Sequence, residues 1–406
     1  MKKWSILVGT LMVISMLLAA CGGGGSQTIK VGVVAELTGD IPAVGASCKN
    51  AAELAVKEIN DAGGLEVAGK KYQVELFIED NAGKADQSAS AAQKLITQQN
   101  VVAIVGPNAS RYAIPASEIA ESSKVMLISP WSTNPDTTFD RPWVFRAAFL
   151  DPFQGEVVAS LAMELGAQNA AVLFDVGNDY VKGLAEYFKA SFEALGGTVS
   201  VYEAYNKEDT DFSAVLGKVA AAAPDVIFLP DYYNKNNLIA AQIQEKGIEA
   251  TLLGADGWDS PELQTELFEG GYFSNHYSPA DPRPVVQNFV AAYTANYGAA
   301  PDAFATLSYD AAKILLQSIS EAGVDDPAAV KDAMSAIQYE GVSGKITFDE
   351  FVAAEPNQIA LSVARPVSSA SLTAASLTLK RCATLSTLRT TLRMFMPSKL
   401  PRAETP

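Results

Sequence analysis

From Ile29 onward the chain repeats one unit: a short β-branched run, a polar or glycine turn, then apolar residues at helical spacing. The pattern predicts strands at Ile29 to Ala35 and Tyr72 to Glu79, with a helix from Val44 to Ala62 between them that Gly63-Gly64 ends. It recurs as helix Lys84 to Gln98, strand Val101 to Val105, helix Ser110 to Ser123 and strand Val125 to Ser129. Such alternation calls for parallel strands with helices on both faces of a sheet. After a strand at Trp143 to Ala147 a second series begins. Its strands are Ala170 to Phe174, Thr198 to Tyr205, Val226 to Leu229 and Thr251 to Leu253. Its helices are Tyr180 to Leu195, Phe212 to Ala222 and Lys235 to Lys246. The expected fold class is therefore α/β, with two Rossmann-like doubly wound lobes joined by a multi-strand hinge. Later helices, Val285 to Tyr297 and Phe304 to Ala322, need a sheet to cover and are expected to return to the first. That gives one lobe at 29–147 plus about 278–335, and a second at 148–277 plus about 336–350.

Length agrees, since about 385 residues beyond the amino-terminal segment are too many for one hydrophobic core. A formal net charge of -16 leaves no basic surface to neutralise phosphates, which argues against nucleic acid as a partner. One histidine, His276, and three cysteines give a zinc site or a histidine-based triad almost nothing to be built from. No metal or cofactor is expected, and His276 reads as a loop or inter-lobe residue. Cys48 and Cys382 could pair in an oxidising compartment. Cys48 shares a helical stripe with Ala52, Ala55, Val56 and Ile59, however, and so reads as a small buried residue.

The two ends differ from the rest. Lys2 and Lys3 lead into an apolar run from Ile6 to Leu18, and Leu18-Ala19-Ala20-Cys21 follows. The run is too short to span a bilayer, and small residues precede the cysteine, as in a bacterial lipoprotein signal. Residues 1–20 are expected to be removed, Cys21 to carry lipid, and 21–28 to act as a flexible leash outside the cytoplasm. An ordinary cleaved signal with an incidental cysteine is the alternative. At the other end, residues 351–406 carry 7 basic and 2 acidic side chains, against 23 and 44 in residues 1–350. Without a clean strand or helix period, this Ser/Thr-rich tail is expected to be poorly ordered. It is either a frameshift product or a genuine basic tail that touches anionic lipid.

Three segments each follow a strand and open a helix: Val105 to Ser110, Ile128 to Thr133, and Gly254 to Trp258. In open α/β sheets ligands bind at the carboxyl ends of strands, where free N–H groups at helix starts attract an anion. Gly106-Pro107 lacks the glycine-lysine-hydroxyl ending of a phosphate loop, and neither G-x-G-x-x-G after the first strand nor G-x-S-x-G occurs. Ser110 can equally be a helix cap, Asp256 a turn residue, and Tyr180, Tyr232 and Tyr233 core aromatics. Hydroxyls, an acid and aromatics converging on one cleft nevertheless suit a ligand with an anion, a cation and an apolar body.

The chain resembles the periplasmic type I solute-binding proteins of branched-chain amino-acid ABC transporters. The resemblance rests on Val31 to Gly39, Ala52 to Asn60, Val102 to Pro107, Leu127 to Pro130 and Gly344 to Asp349, and runs from about Ile29 to Glu350. It implies that Ser110 and the backbone N–H groups of Trp131 and Thr133 hold an amino acid's carboxylate. It implies further that the Thr133 hydroxyl and Asp256 hold the ammonium, and that Tyr180 and Tyr232 close over the ligand. Ser132 lies in the same loop. Three positions depart from the family pattern: Val44 stands where an aromatic covers the ligand, Asp256 where a glutamate is usual, and Trp131 where a small residue is common. With Trp258, these residues would shape the side-chain pocket.

The implied mechanism is hinge closure without covalent chemistry. Ligand meets the first lobe, and the second closes into a state that two permease subunits recognise. The expected protein is a monomer, tethered to the membrane through Cys21, that delivers a branched-chain or related amino acid to an ABC permease. A sensory subunit for amino acids, small amides or acids is the alternative. An extracellular enzyme is disfavoured, because no nucleophile and base pair stands out.

Overall fold

The computed structural model describes residues 28–323, 326–348 and 360–363. Strand β1 (Thr28–Ala35) sits at the centre of the first sheet, parallel to β3 (Lys70–Asp80) on one side and β4 (Ala103–Val105) on the other. Val33 faces Ile78 across one pairing and Val105 across the other. Strands β5 (Met126–Ser129) and β6 (Val144–Arg146) extend the sheet in parallel, and β2 (Leu65–Val67) closes the opposite edge antiparallel to β3. Every residue of β4, β5 and β6 is buried, which explains why β4 and most of β5 read as continuous apolar runs rather than alternating ones, while β6 ends on a buried arginine. Helices α1 (Pro42–Asp61), α2 (Ala85–Lys94) and α3 (Ser110–Ser123) cover this sheet.

The second sheet has β9 (Val226–Leu229) between β7 (Asn169–Asp175) and β10 (Thr251–Gly254), with β8 (Thr198–Tyr205) and β11 (Tyr272–Asn275) outside them, all parallel. Its helices are α4 (Asp151–Glu164), α5 (Asp179–Ala194), α6 (Ser213–Ala222) and α7 (Tyr233–Glu245). Helix α8 (Pro284–Tyr297) follows, and then α9 (Ala303–Ala322) crosses back to pack on α1 and on β4 and β5. The return is fixed by polar contacts as well as apolar ones. Ser47 donates to Asp302 Oδ2 at 2.6 Å, and Glu58 accepts from Tyr309 at 2.5 Å and Lys313 at 3.0 Å.

Several local features depart from the sequence expectation. One strand was expected where two form, because Ala68 (φ 51°) and Gly69 (φ 76°) make a two-residue turn that folds Leu65–Val67 back onto β3. Helix α4 has no counterpart in the expected elements. Its apolar residues do not form a single stripe, and it lies against α5, where Gly155 permits close approach: a Cβ there would stand 2.7 Å from the Tyr187 Cβ.

After α10 (Pro327–Ala336), the hairpin of β12 (Gln338–Glu340) and β13 (Lys345–Thr347) was expected with the second lobe. It packs instead on first-sheet elements. Asp310 of α9 accepts from the Val342 and Ser343 amides, and Phe348 meets Phe145 of β6 edge-on at 5.2 Å. Within the tail expected to lack order, β14 (Ala360–Val363) pairs antiparallel with β11, whose free edge offers a ladder. The remaining tail residues, the segment expected to be a signal, Cys21 and Cys382 lie outside the described residues.

Candidate functional site

The turn from β4 into α3 is shaped by a buried acid. Glu36, at the end of β1, accepts from the Asn108 amide (3.1 Å), the Ala109 amide (3.2 Å) and Asn108 Nδ2 (2.9 Å). Burial raises its pKa, and those donors oppose the rise. Gly106 has φ 89°, and a Cβ there would fall 2.1 Å from the Val34 carbonyl oxygen, so no side chain fits. Ala109 is the N-cap and Ser110 the first helical residue, which leaves the Ser110 hydroxyl free of capping duty.

The neighbouring turn, after β5, is bonded to the first. Ser129 Oγ donates to Pro107 O (2.6 Å) and accepts from the Ser132 amide (3.2 Å). Ser132 Oγ donates to Ser110 Oγ (2.9 Å) and lies 2.5 Å from Thr137 Oγ1, while the Asn134 amide donates to Ser110 Oγ at 3.3 Å. Ser110 Oγ thus accepts twice and keeps its own proton to give. Among the described residues the Trp131 and Thr133 amides have no acceptor, and Thr133 Oγ1 and the Trp131 indole N–H are buried without a partner. The two amides are desolvated donors beside a strand end, the chemistry that favours an anion.

The second sheet contributes the opposite charge. Asp256, 0% exposed, opens a 3₁₀ turn after β10. Its Oδ1 accepts from Tyr180 Oη (2.7 Å) and Gln154 Nε2 (3.0 Å), and its Oδ2 lies 2.9 Å from His276 Nε2. His276 stacks on Phe149 with ring centres 3.7 Å apart, and Ser274 donates to Gln154 Oε1 at 2.6 Å. Asp151, whose amide donates to the Thr133 carbonyl at 2.9 Å, is fully buried; its carboxyl oxygens have no partner in close hydrogen-bond geometry, but the Thr133 hydroxyl lies near enough to favour the charged form. Burial, together with the Asp256 charge, pushes its carboxyl well above the usual carboxylate range.

Aromatic rings close the space between the two groups. Trp131 packs edge-on against Phe304 at 4.3 Å and at a tilt against Tyr180 (5.8 Å) and Tyr232 (5.7 Å), and the two tyrosines stack at 5.3 Å. Tyr232 Oη, like Thr133 Oγ1, is buried without a partner. Around this cluster, helix α3 and the first-sheet loops bond to second-sheet elements: Arg111 to Asp175 at 2.8 Å, Lys207 to Asp40 at 2.9 Å, and Asn134 Nδ2 to the Asp179 carbonyl at 2.9 Å.

Six of the nine residues singled out in the sequence as contacting a ligand therefore meet here: Ser110, Trp131, Thr133, Tyr180, Tyr232 and Asp256. Ser132 braces Ser110 from behind. Trp258 does not belong to the cluster. Two residues beyond Asp256 on one tight turn, it faces another way, packs on Phe268 (4.5 Å) and Phe273 (6.1 Å), and donates its indole N–H to the Leu229 carbonyl at 2.9 Å. Val44 is fully buried in the first turn of α1, within the main core. Sequence reasoning missed Gln154 and Asp151, both on the unforeseen α4, and gave His276 no contact with Asp256. A helix-opening Asp-Pro at 151–152 was the available signal. Among the described residues no cluster could hold a metal ion, and no helix is long and apolar enough to cross a membrane.

The profile of the periplasmic binding protein family matches residues 28–358. The chain belongs to the periplasmic binding protein family. A Leu/Ile/Val-binding protein of Rhizobium johnstonii is 33% identical over 328 residues, covering 79% of this chain and 88% of that protein. A leucine-binding protein structure from Thermotoga maritima is 35% identical with a TM-score of 0.77, covering 82% of this chain and 95% of the other. A branched-chain amino-acid transporter substrate-binding protein from Streptococcus pneumoniae, solved with isoleucine, is 32% identical with a TM-score of 0.76, covering 81% and 94%. The fold is thus that of type I periplasmic binding proteins, and membership places the chain outside the cytoplasm. The family is one of substrate-binding proteins for ABC transporters rather than of catalysts.

Proposed function

We propose that this periplasmic binding protein captures an amino acid with an aliphatic side chain and hands it to an ABC permease. One observation carries the reading: a pair of unpartnered amide donors, of Trp131 and Thr133, shares a cluster with the buried Thr133 hydroxyl and a buried, braced carboxylate, Asp256. That arrangement satisfies a zwitterion, whose two charged ends are costly to bury unless both are hydrogen-bonded. Ser110 Oγ and the two amides take the carboxylate. Thr133 Oγ1 and Asp256 take the ammonium, with Asp151 behind them adding negative potential when ionised. Trp131, Tyr180, Tyr232 and Phe304 provide apolar walls. The relatives' printed ligands, leucine, isoleucine and valine, fit such walls.

The chain works as a monomer. A lipid on Cys21 holds it at the membrane, and a Cys21→Ala chain should appear in the soluble extracytoplasmic fraction instead of the membrane fraction. Ligand identity is tested by a thermal-shift screen of the mature chain against the amino acids, small amides and aliphatic and aromatic acids. A ligand at 100 times its dissociation constant raises stability by about 2.7 kcal/mol, a readily seen shift. The reading predicts a raised midpoint with branched aliphatic amino acids. A shift confined to acids without an amino group would remove Asp256 from the ligand.

A further inference from the structure

The last residue of β6 is a fully buried guanidinium that the head-group chemistry above does not use. Arg146 is 0% exposed and lies against the loop after β5. Its Nη1 donates to the carbonyls of Ser132 (2.8 Å) and Asn134 (2.6 Å), and its Nη2 to the carbonyl of Pro135 (3.0 Å) and to Thr138 Oγ1 (2.5 Å). The intervening carbonyl, of Thr133, goes elsewhere and accepts from the Asp151 amide at 2.9 Å.

The C=O and N–H of one trans peptide point in opposite directions. Holding the Ser132 carbonyl on Arg146 therefore aims the Thr133 N–H away from Arg146. Holding the Thr133 carbonyl on Asp151 likewise aims the Asn134 N–H away, and it reaches Ser110 Oγ at 3.3 Å. A buried cation is costly unless it is hydrogen-bonded, and here three loop carbonyls and the Thr138 hydroxyl meet that requirement, with the Asp151 carboxyl also within its electrostatic reach. One side chain thus fixes the loop's alternation and places a positive charge behind the donors. The planar fork of arginine can bind two carbonyls and a third group at once, which the single ammonium of lysine cannot reproduce.

We propose that Arg146 is a positioning residue for the anion half of the site: it sets the direction of the Thr133 N–H and adds positive potential behind a ligand carboxylate without touching it. The inference rests on the proposed function only in taking the ligand to carry a carboxylate, with or without an amino group.

The test titrates the mature wild-type chain and Arg146→Lys with L-leucine, with isocaproate (leucine without its amino group) and with isoamylamine (leucine without its carboxylate). Loss of one well-aimed bond to a charged group predicts that leucine and isocaproate weaken together by about 10- to 100-fold in R146K. Binding of isoamylamine should be nearly unchanged. Equal weakening of all three, or unchanged leucine affinity in a folded R146K, would overturn the proposal.

A structure of the wild-type chain with leucine provides a check that needs no variant to fold. The carboxylate should sit on the Thr133 N–H with the four Arg146 bonds intact, and a guanidinium in direct contact with the ligand would contradict the inference. The ammonium reading fails separately. If Asp256→Asn left leucine affinity unchanged while R146K still weakened isocaproate, Asp256 would lose its role and Arg146 would keep its own.

Discussion

At Asp256 three polar groups from three parts of the chain meet one carboxyl: Tyr180 from α5, Gln154 from α4 and His276 after β11. The convergence was half legible in the sequence. Asp256, Ser110 and Thr133 stand out because strand ends in an α/β sheet gather at one edge, a rule that needs only the order of elements. Gln154 and His276 are contacts between residues 102 and 20 positions from Asp256, and no local pattern announces such pairs. Ser110→Ala should weaken leucine by about 1.5–3 kcal/mol in calorimetric titration. Its cost to the unliganded fold should be smaller, about 1 kcal/mol, and should come from the buried Asn134 amide and Ser132 hydroxyl that lose their shared acceptor rather than from a lost N-cap, which Ala109 occupies. Trp258 should behave in the opposite way. It fills the core behind β9 and β10, so Trp258→Ala is expected to cost about 3–5 kcal/mol in urea unfolding. At temperatures where the variant remains folded, its leucine affinity should stay near that of wild type; a pocket role would reverse the two effects.

Among the elements, most strands and helices of both sheets followed from the repeat, since β-branched runs and helical stripes differ in period, whereas β11 and α10 were not anticipated. The exceptions have physical causes. The β2 and β3 hairpin depends on two successive positive φ angles at Ala68 and Gly69, and alanine gives no sign of that. Helix α4 lacks a polar face wide enough to set up a stripe, because α5 covers one side and the second sheet lies near another. The link most exposed to a single change is the turn from β4 into α3. Gly106→Ala would place a methyl group against the Val34 carbonyl at a φ of 89°, so a loss of at least about 1–3 kcal/mol is expected from the backbone alone. Thermal unfolding measures that loss. Because the same turn presents Ser110, leucine affinity should fall with it, whereas a turn that only connects two elements would leave affinity intact.

Across the whole molecule, the two loop clusters are held together by more than the aromatic walls. Arg111 and Asp175, with side chains 12% and 4% exposed, form an ion pair between α3 and the end of β7. Arg111→Ala should therefore weaken leucine without touching it, by disfavouring the state in which the lobes meet, and small-angle scattering should show a less compact ligand-bound form. Buried acids set the pH response. Burial, then the nearby Asp259 charge, raises Asp302 to about 7, and burial raises Asp231 and Asp310 to about 6 each. An acid with a raised folded pKa binds more protons folded than unfolded, so its contribution is complete below the unfolded value and is lost as pH rises through the folded one. These groups should make the protein lose stability between about pH 4 and pH 7, and Asp302→Asn should flatten that slope in thermal melts.

The account stands or falls on whether one ligand bridges the donors of the first sheet and the acid of the second. Calorimetric titration of the mature chain and of Asp256→Asn with L-leucine and isocaproate tests this directly. Wild type should bind leucine more tightly than isocaproate, and Asp256→Asn should erase that preference while leaving isocaproate binding in place. Equal affinity of wild type for the two ligands, or an undiminished preference in the variant, would contradict it.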